Sequence, residues 1–378
     1  MIWIAIGIAG FAFGLNLTAC VAVMLHPLCR PKRPAPDLEV RPVTVITPMK
    51  GVHAFMRLTL RTLLRQDHRA LAFIMCFESE SDPAVEVVRE VLAEFDAVDV
   101  TLLFGLTHHG PNPKVNNVAK GVEAARTPYL LLCDQNLEVP PAYVSTLMST
   151  LTDDVGLVSA VPLATHATGI GGGLEYAFLN GEAARVWCMI DLLGQGIASG
   201  ISMLVRRDDL TAIGGVAALD RHVVDDLALS LGIRALGKRV RAVSITPHQR
   251  MGRRATGEVL RRYARWGWFR RNTIPIAFYC EPLFWGLLAS ACVGVIWTNG
   301  FERAWVEGFA VGLLSWTTLA WLGPRLRGWP TSFAGQLMQV FVTPAVWLMA
   351  VRTQKMVWKN SVLGQPGSSE ARPVEPLS

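Results

Sequence analysis

Four short stretches hold the side chains from which chemistry could be built. In "LLLCDQN" (Leu130–Asn136) an apolar run ends on Asp134. A carboxylate at a strand tip suits a hard divalent cation that bridges two phosphates, because Mg2+ takes one or two carboxylates and leaves its other positions to phosphate oxygens and water. An aspartate after an apolar run serves as readily as a turn residue. In "NPKVNN" (Asn112–Asn117) Lys114 and the amides around Asn116 stand at the head of a helix. Free backbone N–H groups and a positive dipole end there favour anions, and a plain cap is the alternative. In "RHVVDDLALS" Asp225 and Asp226 open an amphipathic helix, either as a capping pair or as a general base with its neighbour. Finally, "RRYARWGWFRR" (Arg261–Arg271) sets guanidinium groups among tryptophans just before an apolar run. It reads as a cationic collar at a bilayer surface, or as an anion-handling helix at the lipid boundary.

Short apolar runs separated by helical patterns must position these groups. Val43–Pro48, Phe73–Glu78, Val100–Gly105 and Tyr129–Asp134 read as strands, and Phe55–Gln66, Asp82–Phe95 and Val115–Ala125 as helices. Alternation of this kind predicts an α/β fold with a mostly parallel sheet flanked by helices. Ligands of such sheets bind at the carboxyl ends of the strands. Those ends carry Thr47 and Lys50, then Glu78 through Asp82, then Asp134.

The 378 residues are 51% hydrophobic and only 17% charged, which argues for one catalytic domain plus membrane segments. Ile2–Leu25 holds no charge and is long enough to cross a hydrocarbon core of ~30 Å, so it reads as a retained anchor rather than a cleaved signal. Arg30, Lys32 and Arg33 follow it and place the polar middle in the cytosol, at an inner membrane in a bacterium or at the Golgi or ER in a eukaryote. Ile274–Thr298 and Ala304–Leu322 read as spans, and Phe333–Val351, with Gln336, Gln339 and Pro344, as a re-entrant or interfacial segment. The expected organisation is therefore an anchor at 1–26, a catalytic domain at 40–252, an interfacial helix at 253–273, membrane segments at 274–351 and a partly disordered tail at 352–378. Glu281 belongs at the boundary or against Arg270 or Arg271. Seven cysteines without CxxC spacing predict neither a zinc site nor a disulfide framework. A net charge of +6 gathered beside apolar runs points to an anionic membrane surface and not to nucleic acid. His108 and His109 read as a solvated loop.

Taken in order, these pieces resemble the ceramide glucosyltransferase family of membrane-bound inverting glycosyltransferases. The resemblance rests on "ESESDPAVEV", "NPKVNN" followed by "LLLCDQN", "GISMLVRRD", Asp225-Asp226 where the family usually has Glu-Asp, Arg262-Tyr-Ala-Arg265-Trp266, and "CEPL". It implies a GT-A type fold, a UDP-sugar donor, Mg2+ or Mn2+, and a ceramide-like lipid acceptor. By the resemblance, Thr47, Pro48, Glu78, Asp82, Lys114, Asn116, Asp134, Gly200, Ser202 and Asp225 serve the nucleotide-sugar, with Asp82 or Glu78 on the uridine. Asp134 would bind metal and diphosphate, Asp226 would be the base, and Arg262, Arg265 and Trp266 would hold the diphosphate and the acceptor. The chain departs from the family at "LNGEAARVW", where vertebrate members carry a His-Pro pair, and in offering one carboxylate in Asp134-Gln135-Asn136. Competing readings are the same chemistry on a hopanoid polyol or polyprenyl phosphate, a processive polysaccharide synthase, and a non-catalytic protein that binds UDP-sugar or lipid.

Overall fold

The computed structural model describes residues 2–29, 41–105, 110, 112–220, 224–298, 302–354, 356–358 and 361–363. Arg30, Lys32, Arg33, His108, His109 and the tail from 364 onward lie outside them. The described chain forms two compact units, one from 1–25, 164–189 and 251–378, the other from 26–163 and 190–250.

The strands up to Arg253 are β1 (Val43–Met49), β2 (Leu71–Phe77), β3 (Val100–Leu103), β4 (Tyr129–Cys133), β5 (Leu137–Glu138), β6 (Val155–Ala160), β7 (Leu163–Thr168), β8 (Ser202–Arg206), β9 (Arg239–Val243) and β10 (His248–Arg253). The second unit is built on a seven-stranded sheet of order β3-β2-β1-β4-β8-β6-β9. β1 pairs in parallel with β2 and β4, with Val43 opposite both Leu71 and Tyr129. β8 runs antiparallel to β4 and to β6, so the sheet is mixed. Nearly every residue of β1 is buried, as a strand covered on both faces requires. One face packs Met49, Phe77, Leu131 and Leu147, the other Ile46, Ile74, Leu132 and Ile233. Helix Pro113–Ala124 lies against the second face at Gly121, where a Cβ would come 2.6 Å from Ile46 Cγ2 and 2.7 Å from Cys76 Sγ. That close approach sets where the head of the helix, with Lys114, meets the strand ends.

The first unit is helical apart from short strand segments. The apolar run Ile2–Cys29, of which this unit holds the part up to Leu25, and the helix Phe333–Arg352 are each long and apolar enough to cross a membrane. The stretch 274–298 is broken: Pro275–Phe284 and Gly286–Trp297 meet at a bend of 42°. Pro275 and Pro282 each stand at the start of a short helical piece, where proline fits and beyond which a straight helix does not continue. Glu302–Leu326 carries Pro324 near its end. Helix Phe333–Arg352, by contrast, is continuous through Pro344 and is capped by Ser332, whose hydroxyl accepts from Gly335 N at 3.1 Å. Helix Thr256–Thr273 carries the Arg-Trp motif. Before it in the chain, Gly169–Ala177 and Ala184–Leu192 are joined by a π-helical turn, Phe178–Ala183.

Candidate active site

At the carboxyl ends of the sheet in the second unit, one ammonium group gathers the charged residues. Asn112 caps helix Pro113–Ala124, accepting from Lys114 N at 2.9 Å, and Pro113 fills the first turn. This fixes the start of the helix and aims Lys114 at the strand ends. Its Nζ lies 3.1 Å from Asp134 Oδ1 and 3.2 Å from Asp225 Oδ2, and it also donates to the carbonyl of Gly200. All three ammonium donors are thereby placed, joining the end of β4, the approach to β8 and the first turn of helix Asp225–Ala235.

Asp226 sits beside this cluster. Its Oδ2 accepts from Gly200 N at 2.8 Å and its Oδ1 from Leu227 N at 2.7 Å. A Cβ at position 200 would stand 3.0 Å from Asp226 Oδ2, so the backbone reaches the carboxylate this closely because the residue is glycine. Burial, followed by the like charge of Asp225, pushes the Asp226 carboxyl up to about 7, against the pull of Lys114 and the two N–H donors. The Lys114 pKa is raised as well, but there it is the charged form that is favoured. Burial opposes its charge, but Asp134, Asp225 and Asp226 outweigh that and hold the ammonium above the ordinary lysine range.

Other expected donor-site residues have work inside the fold. Asp82 accepts from Gly51 N at 3.0 Å and Ala84 N at 2.8 Å, tying the loop after β1 to the start of helix Ala84–Leu92, which follows β2. Glu78 is paired with Lys50 at 2.7 Å. Asn116 exchanges two hydrogen bonds with the backbone of Gly110. Thr47 and Ser202 are buried in β1 and β8, and Ser202 accepts from Tyr143 Oη at 2.6 Å; Pro48 is half-buried near the end of β1. Three residues that sequence reasoning assigned no role complete the rim. Asn117 donates to the carbonyls of Met49 and Cys76 at the ends of β1 and β2. Gln135 bonds both backbone groups of Lys50. Asn136 Oδ1 is buried and accepts no hydrogen bond among the described residues. All three lie within or beside quoted motifs, so proximity in the chain was the available signal.

A divalent cation would find a small share of protein ligands here. Among the described residues no group of three or more His, Cys, Asp or Glu suits a metal. Asp134 and the unpartnered oxygen of Asn136, with phosphate and water completing the shell, still fit the one-carboxylate share that Mg2+ accepts.

The Arg-Trp motif belongs to the first unit. Arg262 is held by Glu175, a fully buried carboxylate that also pairs with Arg254 at 3.2 Å. Arg265 stands nearby, its guanidinium lowered first by burial and then by Arg262. Trp266 stacks on Tyr263 at 5.6 Å and on Phe178 at 5.7 Å between ring centroids. The indole is thus part of an aromatic wall and cannot swing freely. Glu281 pairs with Arg270 at 2.5 Å. Glu175 was missed because it lies 87 residues before its partner and belongs to no quoted motif.

A mixed α/β sheet with charge gathered at its strand ends, in a chain with helices long and apolar enough to cross a membrane, is consistent with a membrane-associated glycosyltransferase fold. The chain belongs to glycosyl transferase family 21, whose model matches residues 8–365. It is similar to ceramide glucosyltransferase 1 of Caenorhabditis elegans, with 25% identity over 342 residues, 86% of this chain and 72% of that one. Ceramide glucosyltransferase 3 of the same organism is 23% identical over 278 residues, and the match spans 72% of this chain but only 60% of the relative. A solved mannosyltransferase from Pyrobaculum calidifontis, in complex with GDP-Man and Mn2+, aligns over 93% of this chain and 99% of its own with a TM-score of 0.54. At 18% identity that likeness is one of fold alone.

Proposed function

We propose that this chain moves a hexose from a UDP-sugar to the hydroxyl of a membrane lipid, with ceramide as the acceptor and inversion at the sugar, on a GT-A type fold in its second unit. The observation that carries the reading is Asp226, half-buried beside the Lys114–Asp134–Asp225 cluster with its proton affinity raised towards neutrality. A general base works best with a pKa near the operating pH. The curated relatives' names support the lipid acceptor.

In this mechanism the lipid hydroxyl oxygen forms a bond to the anomeric carbon as the bond from that carbon to the UDP oxygen breaks. The hydroxyl proton passes to Asp226, and UDP departs with the electron pair. Displacement from the opposite face turns an α-linked donor into a β-glycoside. Asp134 and Asn136 would hold Mg2+ or Mn2+, which supplies positive charge against the diphosphate when bound. Lys114 positions Asp134 and Asp225, Gly200 N–H orients Asp226, and Asp82 or Glu78 serves the uridine. Thr47, Pro48, Asn116 and Ser202 belong to the nucleotide-sugar site, with Thr47 and Ser202 shaping it from inside β1 and β8. Arg262, Arg265 and Trp266 are assigned to the leaving diphosphate and the acceptor on the family resemblance. The catalytic unit is assigned to the cytosolic side.

The test is transfer itself. Purified full-length protein incubated with radiolabelled UDP-glucose and ceramide should give label in the lipid extract, in β-linkage. UDP-glucose binding with no lipid product from ceramide, or an α-linked product, overturns the reading; label appearing only on a hopanoid or polyprenyl phosphate overturns the ceramide assignment.

A further inference from the structure

Within the first unit the helices line a partly open cavity of about 140 Å³. Much of its wall is alanine, leucine and tryptophan, as in any membrane helix bundle, but six polar side chains share it: Asn16, Glu182, Arg185, Gln336, Gln339 and Thr343. They come from the first helix, the π-helical turn and its continuation, and the last long helix. Polar and charged groups are expensive in such surroundings and mark functional positions unless they satisfy one another.

Most of these groups are engaged. Arg185 donates to Asn16 Oδ1 and, at 2.6 Å, to the carbonyl of Gly181. Thr343 Oγ1 lies 3.4 Å from Glu182 Oε2, and Gln336 Nε2 donates to Ala177 O at 2.7 Å. Gln339 is the exception. It is 4% exposed, its Nε2 donates to Leu174 O at 2.7 Å, and its Oε1 accepts no hydrogen bond among the described residues. An orphaned buried acceptor is costly, and the cost is removed by an incoming N–H or O–H donor. The volume is close to that of an engineered cavity, roughly 150 Å³, that stays dry and takes one benzene, but here the lining is mixed. It would take a linkage group and a few methylenes, and not a whole acyl chain.

We infer that this cavity binds the hydrogen-bonding middle of the lipid acceptor, an amide or hydroxyl flanked by hydrocarbon, with Gln339 Oε1 as acceptor and Thr343 and Glu182 beside it. The inference rests on the proposed transfer to a membrane lipid. It adds that acceptor choice is made by donors in the lipid's linkage region, so an amide-linked lipid is preferred over an ester-linked one.

The experiment uses full-length protein in detergent and a ceramide bearing a diazirine next to its amide. A phosphatidylcholine with a diazirine at the same depth is the control. Ceramide cross-links should map to peptides spanning 12–19, 182–189 and 336–343 and be displaced by unlabelled ceramide. Gln339→Met and Thr343→Val should each weaken that labelling by about tenfold, and Ala320→Phe, which fills the cavity, should abolish it. In a turnover assay the first two variants should raise KM for ceramide and leave KM for the UDP-sugar unchanged. Equal labelling by phosphatidylcholine, cross-links confined to segments that do not line the cavity, or labelling indifferent to all three variants overturns the inference. Because cross-linking needs no turnover, absence of sugar transfer with cavity labelling intact would strike the proposed activity alone.

Discussion

Asp226 and Lys114 play opposite electrostatic parts, and each makes a distinct prediction. Removing the base in Asp226→Asn should abolish transfer while UDP still binds, as read by calorimetry. Because burial and Asp225 raise the Asp226 pKa, the carboxylate is protonated and idle at acid pH. Activity should therefore rise with pH through about 7. Asp225→Asn removes a like charge, so the acid limb should move to lower pH; a limb that stays put in a kcat profile would count against Asp226 as the base. Lys114→Met leaves Asp134 and Asp225 without their common partner, and breaking such a pair costs roughly 3 kcal/mol. Thermal unfolding in detergent near neutral pH should show that loss, and Lys114→Arg, which keeps the charge, should lose less. The identities of these residues were legible because each stands in a short run with its own chemistry. Their joining by one ammonium was not, since Lys114, Asp134 and Asp225 meet only once the sheet has formed.

The elements were legible to different degrees for equally physical reasons. β1, β2 and β4 announce themselves as apolar runs that end in polar residues, so the site end of the sheet could be read from composition alone. The antiparallel direction of β8 could not, because a buried strand's side-chain pattern carries no arrow. Within the helical unit, Gly286 and Gly173 make a controlled pair. A Cβ on Gly286 would lie 2.4 Å from Trp316 Nε1, against a ring already packed between helices. Gly173 has nothing within 4 Å of that position and sits inside helix Gly169–Ala177. Gly286→Ala should therefore destabilise by about 1–3 kcal/mol through overpacking. Gly173→Ala should be neutral or stabilise by about 0.5–1 kcal/mol, as alanine does in a helix interior. Melting curves of the two variants in one detergent decide it, and similar losses in both would mean that the glycine at 286 is not a packing device.

For the whole molecule the question is how the chain is held to a membrane. Ile2–Cys29 and Phe333–Arg352 pass as spans by length and composition, at opposite ends of the described chain. The second carries Gln336, Gln339 and Thr343, which makes it look a poor span when read as a string. In the folded unit Gln336 and Gln339 are nearly buried and their amide nitrogens donate to the carbonyls of Ala177 and Leu174, so those donors are satisfied by protein and not exposed to hydrocarbon. The sequence could show their presence but not their partners, which lie 159 and 165 residues away. If both segments span, each is an anchor in its own right. The full chain should then stay in the membrane pellet after alkaline carbonate washing, and a chain lacking residues 2–29 should stay there too, because the last helix, 20 residues long and mostly apolar, is still long enough for a hydrocarbon core. Release of the shortened chain into the carbonate supernatant would mean that the last helix lies along the surface or enters and returns. Glycosylation-acceptor sites placed before Phe333 and after Arg352 would then report the same side of the membrane for both ends.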